Sequence, residues 1–155
     1  MIKISCKILM LLALFGVSSH SNAAGTYAEK AAVAKLLDNV FNAMRAGDDE
    51  TLKTLILEDT KLDRIAPGQS VTRGVSADWI GWVGTLNPGQ ADEQIFDVEI
   101  NVEGPLATAW APFTIAIDGE LKSCGINHFT LVKMNGDWKV AYLIDTHTPE
   151  KCLTE

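Results

Sequence analysis

Proton transfer is the chemistry for which this chain holds candidate groups. His128, Asp145, Asp63, Asp97 and Glu99 are side-chain types that work as general acids or bases. His128 and Asp145 sit in two segments joined through Asn135-Gly136, a hairpin turn signal. Counting outward from that turn, with Met134 facing Asp137, sets Phe129 opposite Tyr142 and His128 opposite Leu143. His128 then lies diagonal to Asp145 on one face. A lone histidine on a face of small residues is more often a packing or interface residue. Asp97, Glu99 and Asn101 alternate with Val98, Ile100 and Val102, the pattern of a half-exposed strand. Asp145-Thr146-His147 reads as a strand end with solvated polar groups. No Gly-x-Ser-x-Gly, phosphate-cradling glycine loop or nicotinamide fingerprint occurs, and no cofactor is expected. His128 and His147 form no recognisable metal-ligand pair, so no metal is expected either.

The elements that must position these groups come in a clear order. Thr26-Tyr27-Ala28-Glu29 is a capping box, followed by the helical stripe Val33, Leu36, Leu37, Val40, Phe41 and Met44. Gly47 ends that helix, and Asp48 or Asp49 caps a second one bearing Leu52, Leu55 and Ile56. A short strand is predicted near Lys61 to Ile65. Ser76 is predicted to cap a third helix, in which Trp79, Trp82, Val83 and Leu86 repeat at helical spacing around Gly81 and Gly84. Beyond Asn87-Pro88-Gly89 the period becomes two. Strands are predicted over Ile95–Glu103, Leu106–Ile117, Gly125–Lys133 and Trp138–Thr146. Three helices and then an antiparallel meander make an α+β fold.

Residues 1–24 read as a secretory signal peptide. Lys3 and Lys7 precede the uncharged apolar run Ile8 to Val17, and Ser21 and Ala23 hold the −3 and −1 places of a cleavage site. The run is far short of the ~20 residues of a membrane span. The expected product is one domain over residues 25–155, periplasmic or secreted, with no membrane attachment after cleavage. Losing Lys3 and Lys7 leaves 11 basic against 20 acidic groups, a net charge of −9, which argues against nucleic-acid partners. Cys124 and Cys152 remain. In an oxidising compartment two thiols fit one disulfide; two free, buried cysteines are the alternative.

The counted register assigns faces to the sheet. Trp110, Asn127, Phe129, Leu131, Trp138, Val140 and Tyr142 share one, while Ala109, Ala111, Ile126, His128, Thr130 and Asp145 share the other. A one-residue slip would exchange them. The second face, with Ala141 and Leu143, is apolar and small enough in its side chains to pair with a second copy, so a homodimer is expected.

Four stretches resemble the nuclear transport factor 2-like (NTF2-like) superfamily, and within it the bacterial proteins called "putative lumazine-binding" or SnoaL-like. They are Ala46-Gly47-Asp48 with Leu52, Leu106 to Phe113, Cys124 to Phe129, and Gly136 to Val140. The resemblance covers Tyr27 to Cys152. It implies three N-terminal helices packed on a curved, mostly antiparallel sheet, forming a cone. It also implies a homodimer through the sheets and a small apolar or aromatic ligand in the cone. Trp79, Trp82, Trp110, Asn127, Phe129 and Tyr142 are the candidate lining residues. The alternative is a cofactor-free isomerase, cyclase or dehydratase using His128 and Asp145, or Asp63.

Overall fold

The structure is a computed structural model that describes residues 19–65, 68 and 70–152, with side chains from Thr26 onward. Most of the expected signal peptide, residues 1–18, lies outside the described residues. Among the described residues no helix is long and apolar enough to cross a membrane.

Helix α1 spans Ser19–Ala46, so the Thr26 capping box lies inside a helix rather than opening one. Its Glu29 reaches across the domain instead, accepting hydrogen bonds from Lys133 Nζ (2.6 Å) and Trp138 Nε1 (2.9 Å). Gly47, at φ +68°, ends the helix in the left-handed conformation. Asp48 caps α2 (Asp49–Leu55) by accepting from the Thr51 N–H at 2.9 Å. Strand β1 runs Ile56–Ile65, longer than its short apolar signal suggests. Helix α3 is Ser76–Val83, and its N-cap is Val75. Ser76 is buried within the first turn and makes no capping bond, a correction to its expected role.

The predicted strand Ile95–Glu103 is two strands, β2 (Ala91–Ile95) and β3 (Glu99–Glu103). The break falls beside Asp97, whose φ of +47° no strand accommodates. Strands β4 (Leu106–Ile117), β5 (Glu120–Met134) and β6 (Asp137–His147) form the meander. Both of its tight turns, Asp118-Gly119 and Asn135-Gly136, have positive φ at both residues, the conformation that matches strand twist. The sheet order is β1-β6-β5-β4-β2, with β3 also on β4; among the described residues only β1 and β6 run parallel. This is the expected α+β architecture of three helices on a curved, mostly antiparallel sheet.

Two bulges correct the counted register. Ile117 faces Glu120 and Met134 faces Asp137 as counted, but an extra residue enters at Lys122 and another at Ala141. Trp110 therefore faces His128, not Asn127, and Phe129 faces Leu143, not Tyr142. On β4 the faces exchange. Ala107, Ala109, Ala111 and Phe113 point into the core, and Trp110 stands outside at 49% exposure. On β6, Trp138 and Val140 stay inside, while Leu143 and Asp145 join them and Tyr142 leaves. The core lies between this inner face and the stripe of α1, with Phe41 edge-on to Phe129 at 6.2 Å.

The surface expected to pair two copies is thus partly interior: Ala109, Ala111 and Leu143 are covered by the chain's own helices. The outer face keeps Ile126, His128 and Thr130 as expected and gains Trp110, Tyr142 and Ile144.

Candidate functional site

The open end of the cone holds two adjoining spaces. An inner chamber of about 40 Å³ is walled by Phe41, Thr60, Phe129, Leu143 and Asp145, among others. A vestibule of about 440 Å³ opens outward between Thr72, Trp82, Ile115 and His147. The two spaces share Leu62, Arg64, Trp79 and Glu93 as common walls. The chamber takes only a few water-sized bodies. The vestibule is of ligand size.

Each polar group at this junction has an inward strand position. Leu62 and Arg64 alternate with Asp63 on β1 and lie opposite Leu143 and Asp145 on β6. Arg64 grips Asp145 with its fork, Nε to Oδ1 at 2.9 Å and Nη2 to Oδ2 at 2.7 Å. His147 Nε2 meets the same carboxylate at 3.3 Å, and its Nδ1 meets Ser123 Oγ at 3.1 Å. Asp145 is 4% exposed. Burial alone would raise its pKa, but the bonds from His147 and Arg64 outweigh it and hold the carboxyl below its ordinary range.

Glu93 on β2 behaves in the opposite way. It is 9% exposed and accepts a 2.6 Å hydrogen bond from Asn127 Nδ2. Burial, reinforced by the negative charge of Asp145, pushes its pKa up to about 7; the Asn127 bond and the charges of Arg64 and Arg45 only partly offset this. Two neighbouring carboxyls are thereby split. Asp145 is fixed as an anion, and Glu93 is poised to give or take a proton near neutral pH.

The sequence candidates fall on both sides of the sheet. Asn127, Phe129 and Trp79 line the chamber, and Trp82 stands at the lip of the vestibule. Trp110 and Tyr142 do not face the cone, because the two bulges turn them outward. His128 and Asp145 lie on opposite faces, so no His–Asp dyad forms; His128 packs edge-on against Trp110, ring centres 6.1 Å apart.

Asp63 is 1% exposed but lies on the outer side, beneath the segment that follows β1. It accepts from Arg73 Nη1 (2.5 Å), Tyr142 Oη (2.9 Å) and the Gly74 N–H (3.3 Å). Burial would raise its pKa, but the bonds from Tyr142, Arg73 and Gly74 prevail, and it is held as a carboxylate. The Tyr142 phenol is in turn pushed up by burial and by Asp63. Asp63 does not line the chamber; it borders a separate space with Lys61, Arg73 and Gly74.

Cys124 and Cys152 are bonded to each other, with Cα atoms 6.1 Å apart. Among the described residues, no group of three or more His, Cys, Asp or Glu side chains is placed to hold a metal ion.

Sequence reasoning passed over Glu93, Arg64 and His147. The signal for Glu93 was its place between Ala91 and Ile95 in a period-two run, an acidic side chain on the apolar side of a strand. His147 looked like a solvated strand end because nothing local shows that Asp145 turns inward.

A helix-backed cone of this build defines an NTF2-like protein. Within that class, the chain belongs to the family described as "Putative lumazine-binding", whose model matches residues 28–142. Solved structures share the fold. An NTF2-like protein of unknown function from Shewanella baltica is 17% identical at a TM-score of 0.62, over 79% of this chain and 96% of that one. An NTF2-like protein with a cystatin-like fold from Novosphingobium aromaticivorans is 14% identical at 0.67, over 91% and 96%. A protein titled "Putative Scytalone Dehydratase" from the same species is 18% identical at 0.66, over 81% and 88%. No curated protein matches the chain.

Proposed function

We propose that this protein binds a small, partly aromatic molecule in the vestibule, with a polar edge turned to Arg64 and Glu93. The observation that carries this is the junction itself. Trp79 and Leu62 offer apolar walls, while Arg64 and Glu93 converge on the same opening. Asp145 occupies Nε and Nη2 of Arg64, and Nη1 has no partner among the described residues. A fixed cationic donor beside a carboxyl that is donor or acceptor according to pH suits a heteroaromatic lactam. The family description names lumazine, a molecule of that kind.

Titrating the protein with lumazine and related heteroaromatics, following Trp79 and Trp82 fluorescence, tests the reading. Binding whose affinity changes with a midpoint near pH 7 is expected, with Arg64→Met weakening it. A folded protein that binds none of the panel on either side of that midpoint overturns it.

A second reading is favoured by the split between Glu93 and Asp145, which is the arrangement of an acid/base enzyme. In that case Glu93 moves the proton, Asp145 and Arg64 hold the charge, and neither His128 nor Asp63 takes part. Glu93→Gln would then abolish turnover while leaving binding in mild acid intact.

Two wider expectations belong with this proposal. The chain is exported, with mature protein beginning at Ala24 or Gly25 by mass spectrometry. It works as a homodimer that covers the outer face around Trp110.

A further inference from the structure

The end of β6 is tied to β5 by more than its strand ladder. The Cys152 sulfur is bonded to Cys124. Thr148 donates its N–H to the Cys124 carbonyl at 2.8 Å, and its hydroxyl reaches the same oxygen at 3.3 Å. All three ties converge on one residue of β5. His147 stands immediately before them. Its ring touches Ser123, the neighbour of Cys124, on one side and Asp145 on the other, and packs edge-on to Phe113 at 5.3 Å. The strands are drawn together here: a Cβ on Gly125 would overlap the Thr146 carbonyl, so only glycine permits the approach. The same His147 ring forms part of the vestibule wall.

We infer that the Cys124–Cys152 bridge is a tether that positions His147 against Asp145 at the mouth of the cone, and that opening it with a dithiol frees His147 and changes the polar face offered to a ligand. The segment beyond His147 packs chiefly on β5. Without the bridge, a tail this short frays, and the strand end carrying His147 frays with it. The chemistry is thiol–disulfide exchange. A dithiol supplies two electrons and two protons, the sulfur–sulfur bond breaks to give two thiols, and the dithiol closes to its own disulfide. His147 is a positioning residue here. It acts on the site through Asp145, whose other facing groups are Arg64 from β1, Glu93 from β2 and the neutral Asn127 from β5.

The test reads the Asp145 carboxyl directly, by its carbon resonance over a pH titration, and needs no ligand. Its failure is therefore separable from failure of the binding proposal. In oxidised protein Asp145 should titrate below the ordinary carboxylate range, held there by His147 and Arg64 against its burial. Dithiothreitol, or Cys152→Ala, should move that titration upward while Arg64 stays in place. His147→Asn should produce the same upward movement with the bridge intact, and reduction should add nothing further. Identical titrations in oxidised and reduced protein would overturn the inference. So would a reduction effect undiminished in His147→Asn. Loss of the fold in Cys152→Ala would also overturn it, making the bridge a staple for the whole domain rather than a local tether.

Discussion

Replacing Glu93 with glutamine should stabilise the protein at alkaline pH and leave it nearly unchanged in mild acid. The substituted amide keeps the length of the side chain and an oxygen to accept from Asn127 Nδ2, and it carries no charge. The folded-state pKa of Glu93, about 7, lies above its ordinary 4.5. Below pH 4.5 both folded and unfolded chains hold the proton, and the group is neutral to stability. Between pH 4.5 and 7 the unfolded chain gives up its proton while the folded one retains it, so stability falls as pH rises. Above 7 the loss is complete. A gap of roughly 2.5 pH units at about 1.4 kcal/mol each amounts to about 3.5 kcal/mol. Urea unfolding of both proteins at about pH 4.5 and about pH 8.5 measures it, because titrating groups that do not interact with residue 93 cancel in the difference. The Glu93→Gln protein should be more stable by about 3.5 kcal/mol at the higher pH and within about 0.5 kcal/mol at the lower. A difference that does not change with pH would refute the assignment of Glu93 as the titrating carboxyl of the cone.

If the proposed homodimer forms through the outer face, Trp110→Glu should give a folded monomer by light scattering, whereas Ala109→Glu should unfold the chain, because it places a charge in a filled interior at a cost of several kcal/mol; a folded, monomeric Ala109→Glu protein would restore the face assignment counted from the turns. Gly125→Ala should lower stability in urea by about 2 kcal/mol or more, since the new methyl must push back the Thr146 carbonyl and the strand end with it; an unchanged midpoint would show that β6 is free to move away.

The sequence alone determined what depends on neighbouring residues. The stripe from Val33 to Met44 is a helix because its apolar side chains recur at helical spacing. Asn135-Gly136 and Asp118-Gly119 are tight turns because those residues tolerate positive φ, and the order of helices before a meander follows from where the period changes. The tertiary structure decided which face of each strand looks inward. A bulge adds one residue without disturbing the alternation on either side, so the patterns around Lys122 and Ala141 read equally well in two registers. The choice between them rests on what packs against the sheet. Alanines at 107, 109 and 111 let the helices approach where Trp110 would hold them off. That choice carried Asp145 inside to meet Arg64, left His128 outside, and separated the pair that local spacing had joined. Glu93 stayed hidden for the same reason: a carboxyl becomes an acid or base near neutrality only when distant segments remove its water, and no stretch of sequence records its own burial.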